Sequence, residues 1–244
     1  ESLKLHMNRE PRFYAWIAFH NGYYEVSGED DRKEFSYAPV WKRGKDKKYK
    51  QLVQFMKTQN MGITNDNKYG TKTGYLNKKG AHPGTSASKS TGFKVINYPW
   101  PMVRLAELYL NYAEACVECN DLPEAKRYLN YVRGRAGIPT VEESWDGIAE
   151  LTQNKLREIV RQERLIELYM ENHNFWDIRR WGIAETLGEQ PKGLSVQAKT
   201  ITEFAKPVSV DVQRRFIPAH YLMPLPISEI NKNPNMVQNP GYDQ

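Results

Sequence analysis

The chain has 244 residues, 40% hydrophobic, 12% aromatic and 26% charged, and its 35 Lys and Arg against 29 Asp and Glu give a formal net charge of +6. This balance excludes a disordered chain and leaves enough apolar residues for a sizeable core beneath a large solvated surface. No run approaches the ~18 apolar residues of a membrane span, and the positive charges are dispersed apart from a modest cluster between Lys42 and Lys50, which argues against a nucleic-acid partner.

With 15 Tyr and 6 Trp against 8 Phe, most rings carry a polar edge, which suits surfaces that are half apolar and half wet. Cys116 and Cys119 form a lone C-x-x-C inside a helical period, and packing is their expected role. The five histidines, His6, His20, His82, His173 and His220, show no ligand spacing, so neither a metal nor a cofactor is expected. The chain opens on no signal-peptide pattern and does not begin with Met, and reads as a fragment or processed form.

In chain order, Phe13 to Phe19 is rich in aromatics and bounded by Pro11 and Asn21-Gly22, which predicts a strand ending in a turn. From Tyr23 to Gly92 periodicity disappears, and a long segment dense in Gly, Lys, Asn, Thr and Ser is expected to be loop, with rings spaced along it. After Tyr98-Pro99-Trp100-Pro101, helical spacing puts Leu105, Leu108, Tyr109, Tyr112, Ala113 and Cys116 inward, with Glu107, Asn111, Glu114 and Glu118 opposite. Asn120 marks the end of that helix. Asp121 and Glu124 form a capping box for a second helix, with Pro123 in its first turn, which buries Ala125, Tyr128, Leu129 and Val132 and stops at Gly137 and Pro139.

Such a pair is the unit of a tetratricopeptide-like hairpin, which needs neighbours to cover its apolar face. A third helix is expected from Thr152 to Glu171, with Leu156, Ile159, Val160, Ile166 and Tyr169 inward and Arg157, Arg161 and Arg164 on a solvated or salt-bridged face. A fourth runs from Phe175 to about Leu187, and Trp176, Ile178 and Trp181 are expected to be core or interface anchors, as is Trp16. Beyond Gly188, prolines at 218, 224, 226, 234 and 240 leave short strands and one turn of helix at Ser228–Ile230 in a tail that wraps a surface.

Several stretches in this order resemble the SusD/RagB family: Asn8-Arg9-Glu10-Pro11-Arg12-Phe13-Tyr14, Arg104 to Ala115, Leu129 to Gly137, Arg161 to Leu168, Phe175-Trp176-Asp177-Ile178-Arg179-Arg180-Trp181, and the ending Leu225 to Ile230 with Gln238-Asn239-Pro240-Gly241-Tyr242. The chain departs from the pattern at Glu171-Asn172-His173-Asn174, where the family has a Gly and an Arg. The resemblance implies a mainly α fold of tetratricopeptide-like hairpins, with a loop-rich, partly β insertion and an irregular Pro-rich tail. It also implies a C-terminal portion of a lipid-anchored outer-membrane protein that holds oligosaccharide, or in some members peptide, for a SusC-like TonB-dependent transporter, with the anchor upstream.

The regions expected are 1–98, ligand-facing, 99–190, helical, and 191–244, the tail, together one domain. A sugar offers flat C–H faces ringed by hydroxyls, so rings with polar neighbours recognise it. Tyr23, Tyr24, Tyr37 and Trp41 are the candidate platforms, with Asn21 and Lys42 as polar partners. The rivals are a glycosidase using Glu29, Asp30, Asp31 and Glu34, whose spacing alone supports no acid–base pair, and an intracellular helical-repeat scaffold.

Overall fold

The computed structural model describes residues 3–27, 40–43, 48–57, 59, 70–82, 85–88, 92–97, 99–145, 151–210, 214–233 and 235–242. Helix predominates over short strands among them, as the mainly α expectation requires.

The helical hairpin forms where the sequence places it. Helix α2 (Leu105–Glu118) packs antiparallel to α3 (Leu122–Ala136), and fully buried Ala113 and Ala125 let the two approach closely. Asn120 takes φ 61, and the Asp121 N–H donates to Cys116 O at 2.8 Å, closing the end of α2 with a left-handed residue. Asp121 accepts from the Glu124 N–H at 3.3 Å, one half of the expected box, and Gly137 with φ 70 ends α3.

The buried stripe of α2 is rotated from the expected one. Ala106, Leu110, Ala113, Glu114, Cys116 and Val117 are inside, while Leu105, Leu108 and Tyr112 are exposed. The reason is polar: Glu114 turns inward to meet Arg164 and Arg180. Tyr109, Tyr112, Tyr128 and Tyr131 then gather along the outer seam of the hairpin, with centroid separations from 4.4 to 5.5 Å.

A short helix α4 (Val141–Ser144), absent from the sequence expectation, carries a complete capping box between Thr140 and Glu143. Helix α5 (Gln153–Glu167) starts at Thr152, whose hydroxyl accepts from the Lys155 N–H, and buries Leu156, Ile159 and Val160 against the hairpin. Arg157 lies outward, as expected, but Arg164 is buried at 3% exposure because Asp177 and Asn111 receive it. Helix α6 (His173–Arg180) follows Asn172, whose φ of 66 occupies the left-handed region that Gly tolerates best. Here Ile178 is buried, Trp181 is half-buried, and Trp176 is 59% exposed and so lies outside the core.

The first segment differs from the all-strand expectation. Pro11 sits at the first position of α1 (Pro11–Trp16), where its missing N–H costs nothing, and only Ile17–Phe19 extend as β1. The long segment expected as loop carries short strands: β2 (Gly22–Ser27), β3 (Val40–Arg43), β4 (Lys48–Val53), β5 (Tyr75–Asn77), β6 (Ser86–Ser88) and β7 (Gly92–Lys94). They pair antiparallel as β1-β5, β2-β4-β3 and β6-β7.

In the tail, β8 (Lys192–Leu194) pairs with β9 (Pro207–Ser209) around helix α7 (Ile201–Phe204), and α8 (Ile227–Lys232) widens the single turn expected there. Leu194, Val196, Ala198 and Phe204 pack with Ala18, Val53 and Phe55 in a second core, apart from the helical one. The tail therefore fills an interior as well as wrapping a surface.

Candidate functional site

Sheet β2-β4-β3 carries most of the candidate platforms. Asn21, at φ 60, donates its N–H to Val53 O at 2.8 Å and accepts from Gln54 Nε2 at 3.0 Å, which fixes the turn from β1 into β2. Its carboxamide is thereby committed to the turn. Tyr23 is 41% exposed and stands across from Leu52, whereas Tyr24 is half-buried, packs on the second core and directs its hydroxyl to Asn77 O at 3.5 Å. Burial raises the Tyr24 hydroxyl above the usual phenolic range, in keeping with an inward ring.

On β3, Trp41 pairs with Lys50, which pairs in turn with Glu25, two positions along β2 from Tyr23. Tyr37 lies outside the described residues, as do Glu29, Asp30, Asp31 and Glu34 of the glycosidase alternative. The structure thus brings Tyr23, Trp41 and Lys42 onto one small sheet, with Asn21 in the turn that leads into it, and packs Tyr24 on the second core.

Sequence reasoning missed a buried polar framework beside this sheet. Arg12 of α1 meets Glu10 at 2.7 Å, Glu163 at 2.5 Å and Glu167 at 3.0 Å. Glu167, whose side chain is fully buried, also accepts from Arg104 at 3.0 Å and Arg135 at 2.6 Å, so one carboxylate ties α1 to α2, α3 and α5. A second centre joins α2, α5 and α6. Glu114 receives both Nη atoms of Arg180 at 2.6 Å and Nε1 of Trp181 at 2.7 Å, while Arg164 forks onto Asp177 at 3.0 and 3.1 Å. Burial opposes the charge on Glu114, yet these donors hold its carboxyl below the usual range, and it stays ionised. The local signal was the alternation of Arg and Glu in Arg161 to Glu167, which fits a solvated face equally well.

Two cavities flank this framework. One of about 530 Å³ is lined by Arg133, Trp145, Lys155 and Glu158, and one of about 430 Å³ by Phe13, Trp16, Leu165, Ile166 and Tyr169. Among the described residues, no helix is long and apolar enough to cross a membrane.

The model of the SusD family matches residues 2–242. The chain belongs to the SusD family. SusD-like protein P25 of Formosa agariphila is 33% identical over 143 residues, which make up 57% of this chain and 24% of that protein, and SusD-like protein P2 of the same organism is 35% identical over 144 residues. Among solved structures, BT4246 superposes with a TM-score of 0.79 at 33% identity over 98% of this chain and 38% of its own length. A SusD-like protein from Bacteroides fragilis, BF3747, gives 0.66 at 29% identity over 97% and 39%. This SusD-family chain therefore spans about two fifths of the solved relatives it matches and about a quarter of the curated ones.

Proposed function

We propose that this chain is the glycan-holding portion of a cell-surface nutrient-uptake protein, which binds oligosaccharide without cleaving it and presents it to a SusC-like TonB-dependent transporter. The observation that carries this reading is the β2-β4-β3 sheet, where exposed Tyr23 stands beside a turn fixed by Asn21 and shares the sheet with the strand that carries Trp41. Rings held on a stiff backbone lose little entropy when a sugar stacks on them. Family membership supports a role in nutrient binding and a place at the outer membrane. In this reading, residues 1–98 face the ligand, 99–190 form the helical scaffold, and 191–244 complete the interior beneath the sheet.

Calorimetric titration against neutral glycans, acidic glycans and short peptides tests the proposal, with Tyr23→Ala and Trp41→Ala alongside. Removing a stacking ring is expected to weaken glycan binding about tenfold, which corresponds to roughly 1.4 kcal/mol. Reducing-end analysis after prolonged incubation should find the glycan intact. New reducing ends, or variants that bind as the parent does, would overturn the reading, and saturable binding of peptides alone would replace the ligand class.

A further inference from the structure

A smaller cavity of about 290 Å³ opens where the start of α2, the end of α3 and the connection from α5 to α6 meet α1. Its apolar lining includes Trp16, Trp100 and Met170, and its charged lining consists of Lys79, Arg104, Arg135 and Glu171. The volume lies at the bottom of the ~300–1,000 Å³ range of small-molecule sites. One ring, rather than a chain of rings, fits such a space.

The lining carries three cations to one carboxylate, and Glu167 behind it takes Arg104 and Arg135, which leaves one positive charge in excess. Glu171 is already held by Lys79 at 2.5 Å and by Arg104 at 2.8 Å, and Lys79 also donates to Glu167 O at 2.7 Å. Lys79 Nζ lies 4.1 Å from the Trp16 ring centroid, so that cation is committed to the wall. Arg135 differs. Among the described residues it gives one hydrogen bond, from Nη2 to Glu167, while its side chain stays 54% exposed. A guanidinium has five N–H donors in a planar fork, so most of this one faces outward and can take a carboxylate on two of them.

Beside it, Trp100 is 57% exposed, and Met170, at φ 62, is held in a left-handed conformation that leaves it 56% exposed. A non-glycine residue in that region is strained, and such strain persists where the surroundings impose it. An exposed indole next to a half-exposed arginine fork matches a flat, C–H-faced ring that bears one negative group. An inorganic anion would leave the indole idle, and a neutral sugar would leave the excess positive charge unused.

We propose that this cavity is a second binding site, for one acidic sugar residue such as a hexuronate, with its carbon face on Trp100 and its carboxylate on Arg135. The site is distinct from the β2-β4-β3 sheet in position and in ligand charge, and rests on the glycan-binding reading only in taking sugars as the ligand class.

The test is calorimetric titration of the chain with trigalacturonate and with maltotriose, for the parent, Trp100→Ala, Arg135→Gln, Arg135→Lys and Tyr23→Ala, each checked by thermal melting. Arg135→Lys keeps a cation on Glu167 while losing the planar fork, so it reports on binding even where Arg135→Gln is poorly folded. The expected result is saturable trigalacturonate binding that weakens about tenfold in Trp100→Ala and in each folded Arg135 variant, and falls steeply with added salt. Parental affinity in Trp100→Ala and Arg135→Lys overturns the site. Loss in Tyr23→Ala alone overturns it too, while leaving the glycan-binding reading standing on the sheet. If trigalacturonate does not bind, the cavity proposal falls alone, and the glycan-binding reading is left to its own titration.

Discussion

Replacing Glu167 with Gln keeps the shape of the side chain and removes the charge on which Arg12, Arg104 and Arg135 converge. Removing one partner of a buried ion pair typically costs about 3–5 kcal/mol, because the other charge is left in a poor solvent. Here the partners are not stranded: Arg12 keeps Glu10 and Glu163, Arg104 keeps Glu171, and Arg135 is half exposed. The expected loss therefore sits at the lower end, about 3 kcal/mol. For a chain of this size, 1 kcal/mol moves the melting temperature by about 2–4 °C, so Glu167→Gln should melt about 6–12 °C below the parent. Far-ultraviolet circular dichroism on heating measures it, and Glu118→Gln is the comparison. Glu118 is half exposed and paired with Arg157 on the surface, where a pair contributes about 0–1 kcal/mol. Melting temperatures for the two variants within about 2 °C of each other would refute the claim that the Glu167 centre holds α1 on the helices.

Two further outcomes follow from burial. His6 and His20 have no exposed surface, and burial holds each at about 4, below the ordinary 6.5. Both are neutral in the fold, so their contribution is complete above pH 6.5 and is lost as the pH falls toward 4. Denaturant titrations at several pH values should give a shallower acid slope in His6→Gln than in the parent, and equal slopes would contradict the assignment. The two cysteines should separate under native alkylation, since Cys119 is exposed whereas Cys116 is buried and its thiol is pushed up by that burial. Mass spectrometry is expected to find one adduct on the native chain and two after unfolding; two on the native chain would mean that the hairpin opens.

The helical hairpin was legible because its signals are local. Asp121, Pro123 and Gly137 act within a few residues of where they stand, and the structure uses each as the pattern implies. Arg164 and Glu114 were misassigned because their environment is made by distant residues. Asp177 lies 13 positions beyond Arg164 and Asn111 lies 53 before it, so no window along the chain shows that a charged side chain will be received inside. Once Glu114 turns inward, Leu105 and Leu108 must turn out, and the helix phase shifts with it.

The short strands were hidden for a related reason. Strands as short as Tyr75–Asn77 and Gly92–Lys94 cannot display alternation, and their pairing partners are fixed by tertiary contacts. Of the candidate platforms, Tyr23 is exposed as a platform must be, and Tyr24, its chain neighbour, is turned inward by the pleat. The cavity at Trp100 left no trace in the pattern, because it draws its lining from five separate stretches of chain.

The polar framework also sets an order of events during synthesis. Arg12 leaves the ribosome 151 residues ahead of Glu163 and 155 ahead of Glu167. Until those carboxylates emerge it has only Glu10 beside it, and α1 is too short to persist by itself in water. Arg12 therefore has no buried carboxylate to dock on until the far end of α5 has been made. A nascent chain arrested before residue 163 should leave α1 open to protease, whereas one arrested beyond α5 should protect it.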